Sequence, residues 1–343
     1  MRRGFPPWAA SALAAILACG AWTGPLSAAD PAESGESACG EVTIAEMNWA
    51  SAAVAAHVAA IILSEGYGCT PDLVPGDTVP TVTSMTEKGE PDIAPEVWIN
   101  AAREAVEKAV AEGRLKIAGE ILSDGGLEGW WIPDYMVEEH PELTTLQAVR
   151  ERPDLFPDKE EPGKGRFYGC PPGWACEHLN VNLFAAYGME EAGFALFNPG
   201  SSEGLKAAIA RQYERRRPIF AYYWAPTAIL GRYPLVRLGG MEHDPETWDC
   251  IADKDCADPQ PNGWEPSVVQ KVVTSRFAEE SPGAFEFVSR LSWPNEVVNG
   301  FLGWQDERQA TARETAEHFL ASREEVWRAW VPDEVAEKVK AGL

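Results

Sequence analysis

Two α/β lobes with a cleft between them are the fold this sequence predicts, on three observations. Strand-like and helix-like segments alternate along most of the chain, as β-α-β units around a sheet do. The length of 343 residues suits two medium lobes or one large domain. Three tryptophan-bearing stretches fall where a strand ends or a helix begins: Glu96-Val97-Trp98-Ile99, Gly169-Cys170-Pro171-Pro172-Gly173-Trp174-Ala175-Cys176-Glu177, and Tyr222-Tyr223-Trp224-Ala225-Pro226. That edge of an α/β sheet is where ligands sit.

Residues 1–29 read as an export signal. Arg2 and Arg3 precede an apolar run from Trp8 to Cys19, and Ser27-Ala28-Ala29 supplies a small-residue cleavage pattern. The run is too short for a membrane span, which needs about 20 apolar residues. Ile16-Leu17-Ala18-Cys19 offers an alternative lipoprotein reading, with Cys19 acylated, and Arg2-Arg3-Gly4-Phe5 faintly resembles a twin-arginine signal.

In the mature chain, Val42 and Ile44 alternate with polar residues toward Met47-Asn48-Trp49, a strand. Ser51 is placed to cap a helix whose Val54, Val58, Ile61 and Ile62 follow helical spacing, with Gly66 and Gly68 ending it. Short strands follow at Asp72–Pro75 and Asp92–Ala94, then a helix over Ala101–Glu112 and a strand over Lys116–Leu122 leading to Gly129-Trp130-Trp131-Ile132. The Pro- and charge-rich stretch Arg152–Lys164 reads as an exposed loop. Arg166–Tyr168 is a strand running into the cysteine-bracketed turn and a helix through Leu183. Ala195–Phe197 is a strand, Ser202–Arg215 a helix, and Pro218–Trp224 and Tyr233–Leu238 two further strands. Met241–Gly263 reads as a long polar loop, and the tail from Ser281 is mostly helical. Repetition of β-α-β units predicts parallel sheets. The lobes divide as 30–130 for the first part of lobe 1, 131–250 for lobe 2, and 251–343 for the return to lobe 1.

Without Cys19, six cysteines remain: Cys39, Cys69, Cys170, Cys176, Cys250 and Cys256. The spacing favours neighbours, since Cys170/Cys176 and Cys250/Cys256 are each six apart and Cys39 and Cys69 both open predicted strands. No CxxC or histidine-containing metal cluster is present, so three local disulfides in an oxidising compartment are expected. Asp249, Asp253, Asp255 and Asp258 lack EF-hand spacing and read as a solvated acidic stretch. The formal charge of −24 repels nucleic acid and anionic membranes. Neither a metal nor a cofactor is called for.

In the turn from Cys170 to Glu177, Pro171, Pro172 and Gly173 reverse the chain and a Cys170–Cys176 bridge would close it. The turn fixes Trp174 and leaves the Ala175 and Cys176 amides at a helix start, where free N–H groups attract anions. An aromatic face beside an anion hole is the arrangement a zwitterion with a bulky cation requires.

This turn closely resembles the one in substrate-binding proteins of glycine betaine/proline-type ABC transporters. Val97-Trp98 and Tyr222-Tyr223-Trp224-Ala225-Pro226 match that family's other two tryptophan sites in order and spacing, and the resemblance runs from about Cys39 to the C-terminus. It implies a type II periplasmic-binding-protein fold, a methylated-amine ligand in the inter-lobe cleft, hinge closure, delivery to an ABC permease and no catalysis, in a periplasmic monomer. It also implies that Trp98, Trp174 and Trp224 form the cage, with the Ala175 and Cys176 amides on a carboxylate. Betaine-binding members carry a histidine four residues after the first cage tryptophan; here that position is Ala102, and Asn100 is the nearest polar substitute. Choline-binding relatives add a tryptophan after the first strand, which Trp49 resembles, and an aromatic near Trp130. With no histidine opposite, Glu177 is placed to accept a hydrogen bond from a protonated N-oxide or a hydroxyl, so trimethylamine N-oxide competes with glycine betaine as ligand. Two alternatives stand beside this reading. A secreted carbohydrate-active enzyme would need a carboxylate pair, which the sequence does not single out; a sensor-coupled binding module would use the same pocket.

Overall fold

The computed structural model describes residues 39–343; the signal, cleavage and lipoprotein expectations at 1–29 lie outside the described residues. Val42, Ile44, Ala45 and Met47 are all buried, so β1 (Glu41–Met47) is a strand covered on both faces, as an interior strand of an α/β sheet must be. It pairs in parallel with β2 (Thr70–Gly76) and β3 (Ile93–Trp98). With β4 (Leu115–Glu120) and β10 (Val269–Thr274) they form one sheet in the order β2-β1-β3-β10-β4. A second sheet holds β5 (Leu127–Pro133), β6 (Gly165–Tyr168), β7 (Phe194–Phe197), β8 (Phe220–Ala225) and β9 (Leu235–Arg237), ordered β7-β6-β8-β5-β9. Two such sheets, each flanked by helices, make the two-lobed α/β architecture.

The sheets are mixed rather than all parallel. β10 runs antiparallel between β3 and β4, and β5 runs antiparallel to β8 and β9. The cause is connectivity. The chain leaves the first sheet after β4 and re-enters it at β10, so the strands that begin and end the excursion need no β-α-β crossover and are free of its parallel constraint. The two passages pair with each other where they cross: the Gly126 N–H donates to the Ser267 carbonyl at 2.7 Å and the reverse bond is 3.1 Å.

In the first lobe α1 (Ala50–Tyr67), α2 (Thr78–Lys88) and α3 (Arg103–Ala111) link the strands. α1 starts directly after Trp49; Ser51 sits inside its first turn, and its hydroxyl donates to Glu96 instead of capping the helix. Gly68 ends α1 at φ 68°, the left-handed position glycine fills without strain. α2, rich in β-branched residues and not read from the sequence, forms because Thr78, Thr81, Val82 and Met85 are buried together; tertiary burial overrides weak propensity here. α1 has the length and hydropathy of a membrane span, but most of it is buried inside the fold.

The second lobe carries α4 (Asp134–Glu139), α5 (Leu146–Arg150), α6 (Cys176–Ala186), α7 (Ser202–Glu214), α8 (Ala228–Arg232) and α9 (Pro245–Ala252). α9 lies in the stretch expected to be a polar loop. Asp244 caps it by accepting from the Glu246 N–H, Pro245 opens it, and Trp248 and Ile251 bury its inner side. The expected loop 152–164 is largely exposed, yet Asp158 within it is buried in a two-bond pair with Arg166, at 2.8 and 2.7 Å. The tail forms α10 (Ser275–Glu280), α11 (Pro282–Arg290), α12 (Asn295–Arg308), α13 (Ala312–Ser322), α14 (Glu324–Trp327) and α15 (Asp333–Gly342). These helices enclose a core of α1, β1 and β10 with Trp293, Phe319 and Trp327.

All three neighbouring disulfides are present: Cys39–Cys69, Cys170–Cys176 and Cys250–Cys256. Ion pairs also cross between the lobes. Asp306 on α12 receives Lys206 of α7 at 2.7 Å and Arg232 of α8 at 3.0 Å.

Candidate functional site

The four sequence-predicted tryptophans Trp49, Trp98, Trp174 and Trp224 come together around one cavity between the sheets. Each stands at the end of a strand or the start of a helix: Trp49 between β1 and α1, Trp98 closing β3, Trp174 in the turn between β6 and α6, Trp224 near the end of β8. Trp174 is the central ring, edge-on to Trp49 at 5.2 Å and to Trp224 at 5.1 Å between centroids. Three indole N–H groups are tied outward. Trp49 and Trp98 both donate to Glu96 Oε1, at 2.6 and 3.0 Å, and Trp174 donates to Asn48 Oδ1 at 2.5 Å across the lobes. Those bonds leave ring faces, the electron-rich part of an indole, as the surface presented to a ligand.

The turn carrying Trp174 is held as its composition predicts, with one correction. Gly173 takes φ 82° and Cys170–Cys176 closes the loop. Ala175 and Cys176 line the cavity, their amides at the first positions of α6, where no intrahelical acceptor exists. Glu177 does not line it. Its Oε2 accepts the Gly173 N–H at 2.9 Å, so the carboxylate closes the turn and favours the N-terminal helix dipole instead of meeting a ligand.

Trp130 is also corrected. It shares the face of β5 with Glu128 but lies two residues further along the strand, roughly 7 Å deeper. There it packs on Phe167 at 4.5 Å and Phe220 at 5.6 Å, fully buried, its N–H donated to Asn180. Trp130 belongs to the core of the second lobe.

Four lining residues were not anticipated in this role: Glu128, Tyr222, Thr78 and Leu179. Their signals were faint but present. Tyr222 sits two residues before Trp224 and so on the same face of β8, and Glu128 lies opposite Trp224 in the β5–β8 register; an acid inside the apolar run 127–133 was the clue. Glu128 accepts the Tyr222 hydroxyl at 2.7 Å and the Ser267 hydroxyl at 2.7 Å. Burial pushes its carboxyl above the ordinary range, against the lowering effect of those donors. Asn100 lines the cavity as the sequence anticipated; its Nδ2 donates to Ser267 at 2.9 Å, while its Oδ1 is buried without a partner among the described residues. Ala102 is buried but lines a separate, wider groove between α2, α3 and α9. Among the described residues, no lysine, arginine or histidine lines the cavity.

Gly126 tests how tightly Trp98 is set against the cavity. A Cβ at this position would stand 2.3 Å from the Trp98 ring. Gly126→Ala should therefore displace that ring and lower ligand affinity about tenfold or more, at an overpacking cost of about 1–3 kcal/mol. Calorimetric titration beside the parent protein checks it.

Comparison with known proteins agrees with this fold. Residues 40–322 match the family described as the substrate binding domain of ABC-type glycine betaine transport systems. The glycine betaine/proline betaine-binding periplasmic protein of Escherichia coli (strain K12) is 21% identical over 232 residues, which is 63% of this chain and 67% of that protein. The binding protein of a glycine betaine/L-proline ABC transporter from Borrelia burgdorferi has a similar structure, with a TM-score of 0.69 at 16% identity over 87% of this chain and 99% of that one. A choline-binding protein of an ABC transporter, solved in complex with choline, gives 0.70 at 18% identity over 89% and 98%. At these identities the structural likeness speaks for the fold.

Proposed function

The chain belongs to the family of substrate-binding domains of ABC-type glycine betaine transport systems, and from that premise we propose that it captures a small methylated amine, trimethylamine N-oxide ahead of glycine betaine. The captured solute is handed, chemically unchanged, to a membrane permease. The N-terminal export pattern supports a periplasmic place of action, with the protein working as a monomer. Lobe 1 is read as 30–130 with 251–343, and lobe 2 as 131–250, closing on the ligand by a hinge.

One observation carries the choice of ligand: the cavity is lined by a buried carboxyl, Glu128, and by no basic side chain. A trimethylammonium group fits against Trp49, Trp98, Trp174 and Trp224, each desolvated face contributing roughly 0.5–2 kcal/mol. What distinguishes the candidates is the polar end. The carboxylate of glycine betaine would meet Glu128 with only the Ala175 and Cys176 amides and the Asn100 amide to hold it, whereas an N-oxide oxygen is a weak base that shares a proton with Glu128. The anchor foreseen at Glu177 therefore passes to Glu128, because Glu128 lines the cavity and Glu177 does not.

Isothermal titration of ligand-stripped mature protein at pH 7 against trimethylamine N-oxide, glycine betaine, choline, carnitine and dimethylsulfoniopropionate tests the proposal. Tightest binding to trimethylamine N-oxide, in the micromolar range (roughly 8 kcal/mol), is expected. Preference for glycine betaine would overturn the ligand choice and leave the cage; silence across the panel would return the tryptophans to packing.

A further inference from the structure

Behind the cage lies a second buried carboxylate that touches no cavity surface. Glu96, on β3 two residues before Trp98, is 0% exposed. A single oxygen, Oε1, accepts three donors: the Trp49 indole at 2.6 Å, the Ser51 hydroxyl at 2.9 Å and the Trp98 indole at 3.0 Å. Oε2 is buried without a partner among the described residues. The group differs from Glu128, which has the field of Arg237 nearby; around Glu96 no cation acts, burial raises its carboxyl above the ordinary range, and the three hydrogen bonds from Trp49, Trp98 and Ser51 oppose that by favouring the ionised form.

This is an expensive way to fix two tryptophans. A neutral acceptor such as glutamine or a backbone carbonyl would orient the same N–H groups, whereas a buried carboxylate without a counter-cation carries a heavy desolvation cost. The placement turns that cost into selectivity. An indole N–H hydrogen-bonded to an anion has electron density pushed toward its ring, which deepens the negative face a cation meets. The same charge, in a medium that excludes water, attracts a cation lodged one ring away far more strongly than it would in solvent. A neutral ligand of the same shape gains from neither effect.

We propose that Glu96 is a specificity-determining positioning residue: through Trp49 and Trp98 it supplies the negative charge that makes the cage prefer a quaternary or protonated amine to a neutral molecule of the same shape. The inference rests on the methylated-amine reading of the cavity but not on which methylated amine is the natural ligand.

The test compares Glu96→Gln with the parent protein for two probes. One is tetramethylammonium, a cation without a polar tail; the other is tert-butanol, a neutral molecule of similar shape. The indole Nε1–H resonances of Trp49 and Trp98 report whether the cage stays assembled, since glutamine keeps an acceptor for them. The expected result is a loss of tetramethylammonium affinity of about tenfold or more with tert-butanol binding within twofold of the parent. Equal weakening of both probes would make Glu96 a structural acceptor only and overturn the proposal, as would an unchanged tetramethylammonium affinity. If the parent protein itself fails to bind tetramethylammonium, the cage reading falls and takes this one with it, an outcome distinct from the first two because it appears before any substitution is made.

Discussion

Trp174→Ala is expected to lower affinity for the methylated amine by at least about 100-fold. Trp174 offers the cation a ring face, about 2 kcal/mol when desolvated, and makes edge-on contacts with Trp49 and Trp224, each worth about 0.5–1.5 kcal/mol. Its N–H bond to Asn48 reaches the other lobe, so truncation also removes a contact between the lobes. Together these exceed the roughly 2.7 kcal/mol that corresponds to 100-fold. Because Trp174 is 5% exposed, the variant also loses intrinsic stability, and the readout must separate the two effects. Ligand-induced thermal stabilisation does so. Ligand at about 100 times Kd stabilises the parent by about 2.7 kcal/mol, whereas the variant at the same concentration should gain almost nothing over its own ligand-free melting temperature. Retention of affinity within threefold would remove Trp174 from the site.

How much of this was legible in the sequence follows from what each feature depends on. The tryptophans that line the cavity were readable because each sits in a local signature, a strand end or a proline-glycine turn, and the disulfides because their partners are neighbours in sequence or open paired strands. The acids were not. Glu128 and Glu96 are unremarkable letters among 53 acidic residues, and only the register that sets Glu128 opposite Trp224 and the burial that strips water from Glu96 give them a role. Glu177 misled for the complementary reason. It was adjacent to the motif, but adjacency in a helix's first turn points a carboxylate back at its own turn. Trp130 misled because strand periodicity assigns a face and not a depth. β10 was missed because its partners β3 and β4 lie more than 100 residues away in sequence, where no local pattern records them.

Glu128 gives the most discriminating experiment, because protonation couples to ligand choice with opposite signs. Burial raises its carboxyl above the ordinary range. If trimethylamine N-oxide is the ligand as proposed, its binding leaves one proton shared between that carboxyl and the N-oxide oxygen. At any pH above the carboxyl's folded-state pKa, binding must therefore take up a proton, and affinity should fall as pH rises, by up to about tenfold per unit. Choline carries a fixed charge and a hydroxyl donor, so it favours the ionised carboxyl; its affinity should rise with pH over the same window and level off above it. Glu128→Gln keeps the shape but titrates no longer. It should flatten both profiles and cost trimethylamine N-oxide about 10–100-fold, the range of one charge-assisted hydrogen bond at about 1.5–3 kcal/mol, while glycine betaine, relieved of a facing carboxylate, binds no worse than before. If trimethylamine N-oxide instead binds the glutamine variant like the parent and without pH dependence, its oxygen is held by neutral donors, and the Ala175 and Cys176 amides with the Asn100 amide become the polar anchor. Those same donors would serve a carboxylate as well, and glycine betaine would then stand level with trimethylamine N-oxide as the expected ligand.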